Sequence, residues 1–439
     1  PPDLHAGLFD FQRDVTKWAL RRGRACLFLD TGLGKTWCEI EWARVVSEHT
    51  GRPVLILAPL AVARQFVSEG TKIGVPVKLC REAEDVESGV NVTNYDRAER
   101  FDADDFGGVV LDESSILKDY SGKTRTELID QWKDTRFRLC GSATPAPNDH
   151  TELGNHAEFL GIMTRTEMLS MFFVHDGEST QEWRLKGHAQ SDFWKWVASW
   201  AIAIRNPSDI GYDGSMYNLP PLTVNEMTVG DSGELAKKAG MLFAYEAKTL
   251  NEHREARRVS MTDRVRAAAE MANGTTEPVI VWCDLNDESE ALTLAIQGAV
   301  EVKGSLSTDE KERRIWEFIE GRSRVLVTKP SICGAGLNFQ HCNRELFVGI
   351  GHSWEAFYQA TRRIWRFGQK RECFVTIVTS EAEGRVLETL RRKQRDADAM
   401  AVGMISHMAD AMRGEIAATS RTRDDYNPMK EMVIPTWLA

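Results

Sequence analysis

The stretch Thr31-Gly32-Leu33-Gly34-Lys35-Thr36 has the residue types and spacing best suited to chemistry in this chain. It follows the apolar run 25–29 and leads into a helix-patterned segment that starts at Trp37. Strand, glycine-rich turn and helix start together make a phosphate-binding loop credible. Glycines let backbone N–H groups approach phosphate oxygens, and a helix N-terminus adds positive potential. Lys35 then reaches the β- and γ-phosphates of a nucleotide, and the Thr36 hydroxyl holds Mg2+. Leu29 stands where the strict pattern has glycine, so a glycine-rich turn with a chance lysine is the alternative.

A second pair of acids supports the nucleotide reading. Asp112 and Glu113 close the apolar run Val109-Val110-Leu111. Acids at the C-terminal end of a strand in a parallel sheet lie where ligands bind. Asp112 would bind Mg2+ directly or through water, while Glu113 would orient and deprotonate an attacking water.

The elements that must position these groups alternate along the chain. Strand-like runs at 25–29, 54–58, 90–93, 108–112 and 136–141 are separated by helical patterns such as 35–46 and 124–132. A second series begins after Pro278, with runs at 279–283, 300–303, 324–328, 345–348 and 373–379. This alternation predicts an α/β fold with parallel sheets and helices on both faces. Between the two series the chain reads as helix-rich and holds Trp183, Trp194, Trp196 and Trp200. The tryptophans could stack on bases, but a core role is the ordinary one for such a cluster.

Composition narrows the class. The 439 residues suffice for two or three domains, and 42% hydrophobic with 27% charged content is that of a globular chain. The longest apolar stretch, 53–63, is too short to span a bilayer. Eight cysteines without any C-x-x-C pair argue against a zinc site or a disulfide framework and read as buried thiols. The net charge of −10 implies no whole-surface attraction to nucleic acid, although residues 360–395 carry ten Lys/Arg against four Asp/Glu. Because the chain begins Pro1-Pro2, its start reads as trimmed or processed, with no signal peptide recognised.

Taken in order, the motifs resemble those of helicase superfamily 2, and within it the Swi/Snf-type DNA translocases. The likeness runs with gaps from about Leu8 to about Leu390. Leu8-Phe9-Asp10-Phe11-Gln12 resembles the adenine-reading motif, which implies Gln12 on the base edge. Ala58-Pro59-Leu60 and Val92-Thr93-Asn94-Tyr95 resemble nucleic-acid-contacting motifs. Asp112-Glu113-Ser114-Ser115 stands where the family usually has D-E-A-H. Gly141-Ser142-Ala143-Thr144-Pro145, followed by Asn148 and Glu152-Leu153, resembles the motif that couples nucleotide to nucleic acid. Gly334-Ala335-Gly336-Leu337-Asn338 resembles the fifth motif, with Gly336 at the nucleotide. Gln359-Ala360, Arg363, Arg366 and Gly368-Gln369 resemble the sixth. Its spacing puts Arg363 and Arg366 on one helix face, and the resemblance implies that both reach the ATP bound on the first domain.

The resemblance implies two tandem RecA-like domains, 1–155 and 278–400, a helical insertion and linker at 156–277, and a C-terminal appendage at 401–439. It implies an ATP-dependent translocase that moves on duplex DNA through backbone contacts, with ATP and Mg2+. A monomeric motor in the cytoplasm of a bacterial or phage-infected cell is expected, with no membrane association and with room for a protein partner. Alternatives are a strand-separating DNA or RNA helicase, and an ATP-gated DNA clamp or loader that recruits a partner without stepping. One departure bears on mechanism. Ser114-Ser115 replaces Ala-His, and that histidine normally helps link ATP to the nucleic-acid motif, so the coupling route is in question.

Overall fold

A computed structural model describes residues 3–146, 149–175, 183–230, 258, 260–333, 337–349, 353–380 and 384–416. The chain divides into two compact units. The first is built mainly on Pro1–Ala58 and Phe66–Gly214, the second mainly on Ser215–Ala399.

The first unit holds β1 (Arg24–Leu29), β2 (Val54–Ala58), β3 (Val77–Leu79), β4 (Val90–Asn94), β5 (Gly108–Asp112), β6 (Phe137–Gly141), the short antiparallel pair β7 (Phe173–His175) and β8 (Trp183–Leu185), and β9 (Ala201–Ile204). Its main sheet has the order β3-β4-β2-β5-β6-β1-β9, with every pairing parallel. Strands β2, β4 and β5 are buried along their whole length. That is why β2 and β5 read as continuous apolar runs and not as alternating ones, whereas β4 also buries the polar Asn91 and Thr93. Asp112 is level with Gly141 across β5 and β6, and Gly141 is level with Leu27 across β6 and β1. The C-terminal ends of three neighbouring strands thus converge on one point of the sheet edge.

The second unit holds β10 (Leu222–Val229), β11 (Val279–Cys283), β12 (Ala299–Val302), β13 (Val325–Thr328), β14 (Arg344–Val348) and β15 (Cys373–Ser380). They form a parallel sheet of order β10-β15-β14-β11-β13-β12. The period-two alternation of β11 divides its side chains between two cores. Ile280 and Trp282 pack with Phe318, Phe339 and Phe347, while Val279, Val281 and Cys283 pack with Ala268, Leu292 and Val348.

The α/β class with parallel sheets is as the sequence predicts. Strands β3, β7, β8, β9 and β10 fall outside the two predicted series. β9 pairs with β1 inside the first unit, and β10 extends the second sheet at its edge. Both lie in the stretch that reads as helix-rich, where only a strand's partner makes its pattern legible. Trp194, Trp196 and Trp200 are core residues, and the eight cysteines are all buried. The helix Gly384–Ile416 continues without interruption past residue 403. Among the described residues, no helix is long and apolar enough to cross a membrane.

Candidate functional site

The glycine-rich turn leaves β1 at Leu29 and enters the helix Lys35–Thr50. Gly32 (φ 95°) and Gly34 (φ 78°) both take left-handed conformations, which side chains with a Cβ rarely adopt. A Cβ on Gly34 would also lie 2.2 Å from Gln12 Nε2. The entry to the turn is held by β9, whose Ile204 carbonyl accepts the Asp30 N–H at 2.9 Å. The Thr31 N–H then donates to Asp30 Oδ1 at 2.6 Å. Leu29, the departure from the strict pattern, is fully buried at the strand end.

Gln12 is 2% exposed, and both ends of its amide are engaged. Oε1 accepts the Phe9 N–H at 2.9 Å, and Nε2 donates to the Leu33 carbonyl at 2.8 Å. The side chain therefore clamps the phosphate-type loop to the start of the first helix. Each end of a primary amide can make a further bond, and that is the capacity an adenine edge would use.

Lys35 meets the strand-end acids. Its Nζ lies 2.8 Å from Asp112 Oδ1 and 3.4 Å from Glu113 Oε1. Burial alone would lower the Lys35 ammonium, but Asp112, Glu113 and Glu39 together raise it above the ordinary lysine value. Burial pushes the Asp112 carboxyl up, and Lys35 opposes it. Glu39, one helical turn beyond Lys35, is fully buried, and neither of its oxygens has a hydrogen-bond partner among the described residues. Burial pushes it well up, Asp112 adds to that, and Lys35 pulls it down. Gly141 packs directly on this pair, since a Cβ there would lie 1.9 Å from Glu39 Oε1 and 3.0 Å from Lys35 Cδ. Sequence reasoning missed Glu39, because only the fold places it beside Asp112.

Glu113 is the positive-φ non-glycine among the described residues, at φ 53° and ψ 51°. Such a conformation costs on the order of 1–3 kcal/mol and persists only where neighbours impose it. Two contacts flank it, one part-buried and one buried. The Tyr95 hydroxyl donates to the Asp112 carbonyl at 2.6 Å, and Ser114 Oγ lies 3.1 Å from His156 Nε2. Burial lowers His156 to about 4, so its imidazole is neutral at ordinary pH.

The group fits Mg2+. The Thr36 hydroxyl and the Asp112 carboxylate are hard oxygen donors, and Mg2+ takes one or two carboxylates with substrate phosphates in preference to an all-protein cage. Accordingly, the described residues contain no cluster of three or more His, Cys, Asp or Glu able to hold a metal alone. Glu113 Oε2 is buried with no hydrogen-bond partner among the described residues, as a group that receives a ligand in this space would be.

In the second unit the sixth-motif segment departs from the expected geometry. The helix Trp354–Thr361 ends before the arginines, so Arg363 and Arg366 sit on turns and not on one helix face. The cause is tertiary. The Arg363 carbonyl accepts the Phe339 N–H at 3.0 Å, which removes it from a helical ladder, and Trp365 Nε1 donates to the Pro220 carbonyl at 2.7 Å. The two guanidinium groups still converge, each donating through Nη1 to the Leu337 carbonyl at 3.2 Å. Arg363 is 3% exposed and also donates from Nε to the Gln359 carbonyl at 2.8 Å. Gln369 ties the segment to the carbonyls of Gln340, Cys342 and Ile364. Gly336, expected at the nucleotide, lies outside the described residues, as does Asn148.

Behind Arg363, Glu345 is 1% exposed in the middle of β14. Burial pushes its carboxyl well above the usual range, while Trp282 and the Arg363 cation pull the other way. The folded state therefore keeps a proton that the unfolded chain loses above about pH 4.3. Stability falls as pH rises from there, at a slope of at most about 1.4 kcal/mol per pH unit for one proton. Glu345→Gln should remove this dependence. Thermal unfolding between pH 4.5 and 8 is expected to show equal stability at the acid end and a more stable variant at the alkaline end. A gap that did not widen with pH would contradict the raised Glu345.

Comparison with known proteins adds three findings. Residues 263–368 match the helicase conserved C-terminal domain. A probable ATP-dependent RNA helicase, ddx41 of Dictyostelium discoideum, is 27% identical over 146 residues, 32% of this chain and 22% of that protein. The DNA repair and recombination protein RAD54 of Saccharomyces cerevisiae is 29% identical over 79 residues, 18% of this chain and 9% of that protein. These matches span less than a quarter of either relative. Among solved structures, the Sulfolobus solfataricus SWI2/SNF2 ATPase core in complex with dsDNA aligns with 95% of this chain and 98% of its own, at TM-score 0.43 and 16% identity.

Proposed function

We propose that this chain, a Swi/Snf-type member of helicase superfamily 2, is an ATP-dependent nucleic-acid motor that hydrolyses ATP to move along duplex DNA. The observation that carries the reading is the Lys35 ammonium held 2.8 Å from Asp112 and 3.4 Å from Glu113 at the mouth of a glycine-rich loop.

In this proposal the loop amides of residues 31–36 take the phosphates, and Lys35 exchanges its acids for the β- and γ-phosphate oxygens. Thr36 and Asp112 would hold Mg2+, which would supply charge neutralisation to the phosphates. Glu113 orients the attacking water and accepts its proton. Gln12 passes the state of the base to the loop through Leu33. Arg363 and Arg366 supply guanidinium charge to the γ-phosphate in the ATP-bound state. The nucleic acid is gripped mainly through its phosphates, so recognition depends little on sequence and strongly on salt.

The test is ATP hydrolysis without nucleic acid, then with duplex DNA, single-stranded DNA and RNA, at two salt concentrations. Strong stimulation by duplex DNA that weakens at the higher salt is the expected result. Stimulation confined to single strands or RNA would replace the duplex reading with a helicase one. Turnover on duplex DNA without displacement of a bound third strand would favour a clamp.

A further inference from the structure

The left-handed turn at Glu113 is flanked by two contacts that come from distant segments. Tyr95 fixes the Asp112 carbonyl on one side. On the other, Ser114 is fully buried and bonded to His156, which is itself fully buried. His156 belongs to the helix Leu153–Leu160, which follows the segment opened by Gly141–Pro145. The same helix reaches the far end of the Glu113 turn through Asn155 Nδ2, which donates to the Lys118 carbonyl at 3.2 Å. The other side of the imidazole meets β1, edge-on to Phe28 with ring centroids 5.4 Å apart. Phe28 lies two residues before Asp30, where the phosphate-type loop begins. One neutral, buried ring therefore touches the strand feeding the loop and the turn carrying the general base, and it rides on the helix after the coupling segment.

A histidine is absent from the two positions after Asp112-Glu113, which hold Ser114 and Ser115. We propose that His156 is a positioning residue that restores this link from another element, transmitting the state of the 141–160 segment through Ser114 to Glu113. The proposal rests on the motor reading above. A shift of the helix on nucleic-acid binding would be delivered to Ser114 by a directional hydrogen bond inside a dry, tightly packed interior. There, packing favours discrete rearrangement over gradual deformation. Ser114 and His156 are 42 positions apart, so neither residue signals the other in the sequence.

Three variants test it, each assayed for ATP turnover with and without duplex DNA and for the KM of ATP. His156→Leu and Ser114→Ala remove the bond from opposite ends. Both should keep the unstimulated rate and the KM of ATP, and lose at least ~5-fold of the DNA stimulation, the low end for coupling between linked sites. The double variant should be no worse than either single one, because the two residues act through one bond. His156→Gln places a side-chain N–H near the position of Nε2 and should recover most of the stimulation. If His156→Leu fails to fold, Ser114→Ala, which loses only a hydroxyl, gives the same reading. Wild-type stimulation in both single variants would overturn the proposal, as would an equal fall in unstimulated and stimulated rates. A wild-type chain that no nucleic acid stimulates would defeat the motor reading and this proposal with it. That result is distinct from a stimulated wild type with indifferent variants.

Discussion

Arg366→Ala is expected to lower DNA-stimulated ATP hydrolysis by about 10³-fold or more, the scale found where a cationic finger is removed from phosphoryl transfer. ATP affinity should stay close to normal, because the loop residues proposed to take the phosphates are on the first unit. Arg366 is the better candidate of the pair. It is half-buried, whereas Arg363 is 3% exposed with two carbonyl bonds holding its guanidinium inside the second unit. Arg366→Lys should recover little, since an ammonium cannot reproduce the planar fork of a guanidinium. Steady-state turnover at saturating DNA and equilibrium binding of a fluorescent ATP analogue separate the effects. Turnover and affinity falling together would make Arg366 a structural residue of the turn that ends on Gly368.

Glu113→Gln is expected to lower hydrolysis at least ~100-fold, the scale of losing a general base. The substitution keeps the length of the side chain and the left-handed backbone at φ 53°, so the turn is not asked to change. It also leaves the 2.8 Å contact between Lys35 and Asp112, which is the closer of the two ion pairs. Nucleotide binding and thermal stability should therefore survive while turnover does not. The same analogue binding and steady-state assays decide it, and near-normal turnover would remove Glu113 from the role of base.

Much of the site was legible because its signals are local. Glycines that must be left-handed, a lysine and a hydroxyl at a helix start, and two acids ending an apolar run each carry meaning within a few residues. Lys35, Thr36, Asp112 and Glu113 could thus be named with their chemistry before any fold was known. The structure brings Asp112 and Glu113 within ion-pair distance of Lys35. The α/β class was legible for a related reason, since parallel strands buried on both faces leave continuous apolar runs.

What the tertiary structure decided depends on partners far away in the chain. A helix was the reasonable expectation for Arg363 and Arg366, until Phe339 claimed the Arg363 carbonyl and Pro220 anchored the Trp365 indole. Gln12 reads as a base contact, and only the fold shows that its amide also ties Phe9 to Leu33. Buried Glu39 and Glu345 look like surface residues of a helix and a strand until their neighbours are in place. The sequence by itself determined the α/β class and singled out the candidates for phosphate chemistry, because those signals reside in short segments. Only the tertiary structure determined that Tyr95 and His156 flank Glu113, and that β9 holds the loop entry. Each of those contacts joins segments that chain order separates and only sheet register and helix packing bring together.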